Sequence, residues 1–67
     1  MRITVNDESR EVNAATVGEL VKEILGEVPE AGTAVAVDGD VVPRSAWRTS
    51  QLTEGAAVDI LTAVQGG

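Results

Sequence analysis

The 67-residue sequence has no cysteine and no histidine, and Trp47 is its only aromatic residue. Without cysteine, neither disulfides nor thiolate-bound metals can support the fold. The missing histidine removes the commonest general base and metal ligand, and the missing cysteine removes the softest nucleophile. A self-sufficient enzyme is therefore not expected, although paired carboxylates can catalyse without either residue. Nearly all of the core must come from Val, Ile, Leu and Ala. A chain this short buries only about 60% of the surface it exposes when unfolded, so one thin-cored domain is expected. Its many valines suit pleated strands.

Positive charge is also scarce: five Lys and Arg stand against eleven Asp and Glu, a formal net charge of −6. Arg2, Arg10, Lys22, Arg44 and Arg48 are scattered along the chain, whereas phosphate backbones demand clustered cations. Nucleic acid is not an expected partner. The acidity serves solubility or steers the protein onto a basic partner surface, and the sequence leaves both open. Met1 runs straight into Arg-Ile-Thr-Val, and no long apolar run follows. Neither export nor membrane insertion is expected on these signs, and the expected location is cytoplasmic.

Arg2 to Asn6 alternates, with Ile3 and Val5 on one face, and predicts a strand. Asn6-Asp7-Glu8-Ser9 reads as a turn, with a second strand from about Arg10 to Ala14. Thr16-Val17-Gly18-Glu19 has the form of a capping box. Val17, Leu20, Val21, Ile24, Leu25 and Val28 follow at helical spacing, on an arc of roughly 140°. Gly26 and Pro29 predict the stop. Thr33 to Val37 reads as a strand, and Asp38-Gly39-Asp40 as a tight turn into Val41-Val42. Pro43 cannot donate to a sheet ladder, so that return strand is expected to be short or at an edge. Arg44 to Ser50 has no clear period, Thr53-Glu54-Gly55 is a turn, and Ala57 to Val64 is a last strand. Its nearly continuous apolar run predicts a central, covered position. One amphipathic helix must bury its stripe against the sheet. A last strand lying beside the first would be parallel to it through a right-handed crossover. The expected fold is α+β: a β-grasp, ubiquitin-like domain over 1–64, with a mixed sheet of four to five strands on one helix. Residues 65–67 are expected to form a flexible tail.

That tail, Gln65-Gly66-Gly67, is the candidate functional element. A C-terminal carboxyl group is ionised near neutrality. It can attack the α-phosphate of ATP, and the resulting acyl-adenylate is open to a sulfur nucleophile. Glycine has no side chain to collide when a tail threads into another protein's active site. With no cysteine to hold sulfur as a persulfide, the terminus is the plausible carrier. Gly67 would be the residue modified and Gly66 the access to it. Ala63, Val64 and Gln65 are either a simple strand end or a docking flank, and docking is favoured because delivery brings them against the partner.

The segment Val35-Ala36-Val37-Asp38-Gly39-Asp40-Val41-Val42-Pro43-Arg44-Ser45-Ala46-Trp47 resembles the central signature of the ThiS family, the sulfur carrier proteins of thiamine biosynthesis. The stretch from Leu52 to Gly67, ending Ala63-Val64-Gln65-Gly66-Gly67, is similar to that family's close. Asp38 stands where the family commonly has Asn, and Ala56 where it commonly has Asp. The resemblance implies a cycle centred on Gly67. An E1-like enzyme of the ThiF type adenylates its carboxylate with ATP, and a sulfurtransferase or cysteine desulfurase relay converts it to a thiocarboxylate. A thiazole synthase of the ThiG type then accepts the sulfur. The protein is then a cosubstrate with no permanently bound cofactor. A carrier for molybdopterin, cysteine or another thiolated metabolite would share this chemistry, and a ubiquitin-like modifier would share its first step.

Other conspicuous residues are read more plainly. Trp47 is a partly buried anchor in preference to an exposed hot spot. Arg44 fits a surface ion pair or a partner contact equally. Asp38 and Asp40 are turn residues, since two carboxylates fall far short of a calcium shell, and no metal site is expected. Glu19, Glu23 and Glu27 form a solvated helix face.

Overall fold

The computed structural model describes residues 1–28 and 32–62. The chain forms β1 (Arg2–Val5), β2 (Glu8–Glu11), α1 (Val17–Leu25), β3 (Thr33–Val37), β4 (Asp40–Val42), a 3-10 turn (Arg44–Ala46) and β5 (Ala57–Thr62). The strands lie side by side in the order β2-β1-β5-β3-β4. β1 and β5 are parallel, and the β1–β2, β3–β5 and β3–β4 pairs are antiparallel. A mixed sheet with parallel first and last strands at its centre, packed on one helix, is the expected β-grasp.

Both hairpins reverse in two residues. Asn6 and Asp7 take φ of 51° and 68°, and Asp38 and Gly39 take 51° and 88°, the left-handed pair of a type I′ turn. The four-residue turn expected over Asn6–Ser9 is therefore too long. Asn and Asp enter the left-handed region without glycine, so β2 starts at Glu8 and ends at Glu11. Val12 and Ala14, expected within that strand, are buried beyond its end.

The helix starts where the capping box predicts. Thr16 Oγ1 accepts from Glu19 N–H at 3.2 Å, and Glu19 Oε1 reaches back to Ala15 N–H at 2.8 Å, one residue further than the motif requires. Two other first-turn amides, Val17 N–H and Gly18 N–H, donate to the carbonyls of Ser50 and Trp47, each at 2.9 Å. Groups that a helix end leaves without intrahelical partners are thus satisfied by the segment after β4. Gly26 ends α1 with φ 85°. Val17, Leu20 and Val21 are fully buried, whereas Leu25 and Val28 are exposed. The apolar stripe is shorter than its spacing suggests: Leu25 is exposed in the last turn of α1, and Val28 falls beyond the helix end at Gly26. Pro29 lies outside the described residues.

The core fills one face of the sheet. Ile3, Val5, Val35, Val58 and Ile60 meet the helix stripe, and Val12, Ala14, Trp47, Leu52 and Ala56 close its margins. Ala56, between the expected turn and the expected last strand, is a core residue, and its carbonyl accepts from Thr4 N–H at 2.9 Å. β5 is central, as expected, but covered on one face only. Val58 and Ile60 are buried, while Ala57, Asp59 and Leu61 are exposed.

Candidate functional site

β5 is the element that leads to the C-terminus, and its position is fixed from both sides. Towards β3 it pairs in register from Val37↔Val58 to Thr33↔Thr62. Towards β1 it pairs at Thr4↔Ala57 and Val5↔Val58. Each hairpin turn adds a side chain to this frame. At the start of β5, Asp38 Oδ1 accepts from Ala57 N–H at 2.9 Å while Asp38 N–H donates to Ala57 O at 2.7 Å. Near its end, Asn6 Oδ1 accepts from Ile60 N–H at 2.8 Å and Asn6 Nδ2 donates to Ile60 O at 3.2 Å. The two residues that the sequence marks only as turn formers are clamps on the outgoing strand. Asp38 needs only to accept, so a carboxylate serves where the family commonly has an amide.

The uncovered face of the sheet exposes two large apolar side chains beside this strand, next to the carboxylate of Asp59. Leu61 is 70% exposed and Val41 74% exposed. Cross-strand pairs place Ala34 opposite Leu61, and Ala36 opposite both Asp59 and Val41. The alanines keep the surface low between the two larger side chains. An open depression of about 460 Å³, lined by Gly32, Thr33, Ala34, Leu61 and Thr62, lies at the end of β5. Sequence reasoning missed Leu61 and Val41 as surface groups. The signal was present: one helix in a chain this short can cover only one side of a sheet.

Gly67, Gly66, Gln65, Val64 and Ala63 lie outside the described residues, as does the expected domain boundary after residue 64. What the structure shows is the strand that feeds them. Among the described residues no group of three or more His, Cys, Asp or Glu could hold a metal ion, and no helix is long and apolar enough to cross a membrane. A second groove of about 450 Å³, between α1 and the 44–48 segment, shares no lining residue with β5.

The upstream motif has a structural explanation. β4 stops at Val42, and Pro43, with φ −63°, launches the 3-10 turn. Trp47 is 3% exposed, and its indole N–H returns to Val42 O at 2.9 Å. The Arg44 guanidinium carbon lies 5.4 Å from the Trp47 ring centroid, a cation–π arrangement. Trp47 is thus the anchor expected, and its carbonyl caps α1. Residues 3–67, which include this corner and the C-terminal stretch, match the ThiS family. The chain belongs to the ThiS family. A crystal structure of the thiamine biosynthesis protein ThiS from Geobacter metallireducens is similar to this member at a TM-score of 0.76 and 30% identity, covering 100% of both chains. A solution structure of a thiamine biosynthesis protein from the same organism gives 0.79 and 31%, covering 100% of this chain and 88% of that one. No curated protein matches the chain in sequence at the level required.

Proposed function

We propose that this ThiS-family chain is a sulfur carrier of thiamine biosynthesis, and that Gly67 bears the sulfur. The observation that carries the reading is the family match through residue 67, which takes in the terminal diglycine. In this cycle an E1-like enzyme binds the chain, and the Gly67 carboxylate attacks the α-phosphate of ATP. Pyrophosphate leaves and an acyl-adenylate forms. The persulfide sulfur of a sulfurtransferase or cysteine desulfurase relay then attacks the carbonyl and AMP leaves; a second thiol cleaves the resulting acyl disulfide, forming a disulfide with the relay cysteine and releasing the thiocarboxylate. A thiazole synthase takes up that sulfur, and the carrier returns with its carboxylate. The chain is a cosubstrate and ATP belongs to the activating enzyme. Gly66 gives the narrow tail its access, and Ala63, Val64 and Gln65 approach the partner with it. The apolar sheet face at Leu61 and Val41 supports this reading, because it adjoins the strand that leads into the tail. It is suited to docking the activating enzyme.

Intact mass after incubation with the activating enzyme, ATP and a sulfur donor tests the proposal. A gain equal to replacing one oxygen by sulfur, localised to the C-terminal peptide, is expected. An unchanged mass with an enzyme competent on another carrier rejects it. Transfer of the sulfur to thiazole by a thiazole synthase is the further requirement of the thiamine assignment.

A further inference from the structure

We infer that Asn6 is a positioning residue for sulfur loading: its side-chain amide holds the end of β5 in the alignment from which the reactive tail is presented. The inference rests on the carrier function proposed above. In a parallel pair the bonds are evenly spaced, and every second residue of one strand donates to and accepts from the other. Thr4 N–H donates to Ala56 O, and Asn6 N–H to Val58 O, both at 2.9 Å. The next rung would pair Ile60 with the backbone beyond, but the chain has already turned away at Asn6 and Asp7. The Asn6 amide supplies that rung. Its Oδ1 takes Ile60 N–H and its Nδ2 gives to Ile60 O, the same carbonyl and N–H that a peptide group would present. Only Leu61 and Thr62 of β5 follow Ile60 before residues 63–67. Asn6 therefore fixes the β1 side of the strand close to the tail, while Asp38 holds its other end.

The two clamps differ in what they demand. Asp38 only accepts from Ala57 with its side chain, so amide and carboxylate are interchangeable there. Asn6 must donate and accept together, which a carboxylate cannot do. A strand end held in place keeps the binding-competent arrangement populated, and loosening it weakens apparent affinity by the fraction lost.

The test is steady-state adenylation of the full chain by the activating enzyme, followed by pyrophosphate release. Asn6→Gly removes the side chain while accepting the positive φ of the turn. Asn6→Asp keeps an acceptor for Ile60 N–H but sets a second oxygen against Ile60 O. Asp38→Asn is the control. Losing one to two net hydrogen bonds predicts a roughly tenfold rise in KM for the carrier in Asn6→Gly. With kcat nearly unchanged, that pattern marks lost binding of the carrier. Asn6→Asp moves the same way, Asp38→Asn leaves KM alone, and amide exchange at Ile60 accelerates in Asn6→Gly. A wild-type KM in either Asn6 variant, in folded protein, overturns the inference. If Asn6→Gly does not fold, Asn6→Asp decides it. Failure of the wild-type chain to be adenylated by a competent enzyme rejects the carrier reading itself, and this inference with it.

Discussion

The sole indole does several jobs through one side chain and its own backbone. Trp47 fills the core margin, donates to Val42 O at 2.9 Å, stacks near Arg44, and offers its carbonyl to Gly18 N–H. Trp47→Phe keeps most of the apolar volume but leaves the Val42 carbonyl without the indole N–H. A loss of about 1 kcal/mol is expected from that bond, read as a lower urea midpoint at constant m-value by circular dichroism. An unchanged midpoint would show that the carbonyl is satisfied in another way. Burial of this residue was legible from residue type alone. The roles of Asn6 and Asp38 were not. Turn chemistry identifies the residues that adopt positive φ, but not the strand that their side chains reach across the sheet.

At the scale of elements, β5 is both a structural rail and the approach to the end proposed to carry sulfur. Its inner residues Val58 and Ile60 belong to the core, and its outer residue Leu61 to the open face. Leu61→Thr puts a β-branched side chain, suited to a strand, in place of leucine and removes apolar surface from the exposed side. Stability is expected to change by no more than about 0.5 kcal/mol, as for surface substitutions generally. Binding to the activating enzyme is expected to weaken roughly tenfold, the scale of an apolar side chain no longer buried in a complex. Calorimetric titration measures the second quantity and thermal unfolding the first; unaltered affinity would remove this face from the docking surface. The helix start and stop, the 37–40 hairpin and the short edge strand at Pro43 were all legible. Each rests on local chemistry: a cap, a left-handed glycine, a missing amide. The start of β2 and the one-sided cover of β5 were not. Those depend on register and on how many layers surround the sheet, and neither is a local property.

For the molecule as a whole, the dominant electrostatic fact is a net charge of −6 on 67 residues. Among the described residues, surface ion pairs join Glu11 to the Met1 ammonium at 3.1 Å and to Arg2 at 3.7 Å; such exposed pairs contribute only about 0–1 kcal/mol. The charge therefore matters more for encounter than for the fold. Raising ionic strength from about 0.01 M to 0.15 M shortens the Debye length from about 30 Å to 8 Å. The association rate with the activating enzyme is expected to fall over that range while dissociation changes little. Stopped-flow measurement checks this, and a salt-independent association rate would leave the charge with a solubility role alone.

Because β1 and β5 run parallel in the Thr4↔Ala57 register, Met1 and Thr62 sit at opposite ends of the sheet, separated along the strands by roughly 26 Å. A dye, affinity handle or surface linker attached ahead of Met1 would stand well away from the end at which sulfur loading is proposed. The Met1 nitrogen, which donates to Val12 O at 2.9 Å, can keep that bond as a peptide N–H. The fold thus separates a point of tethering from the end proposed to enter an enzyme, and under that proposal an immobilised chain would be charged and discharged repeatedly.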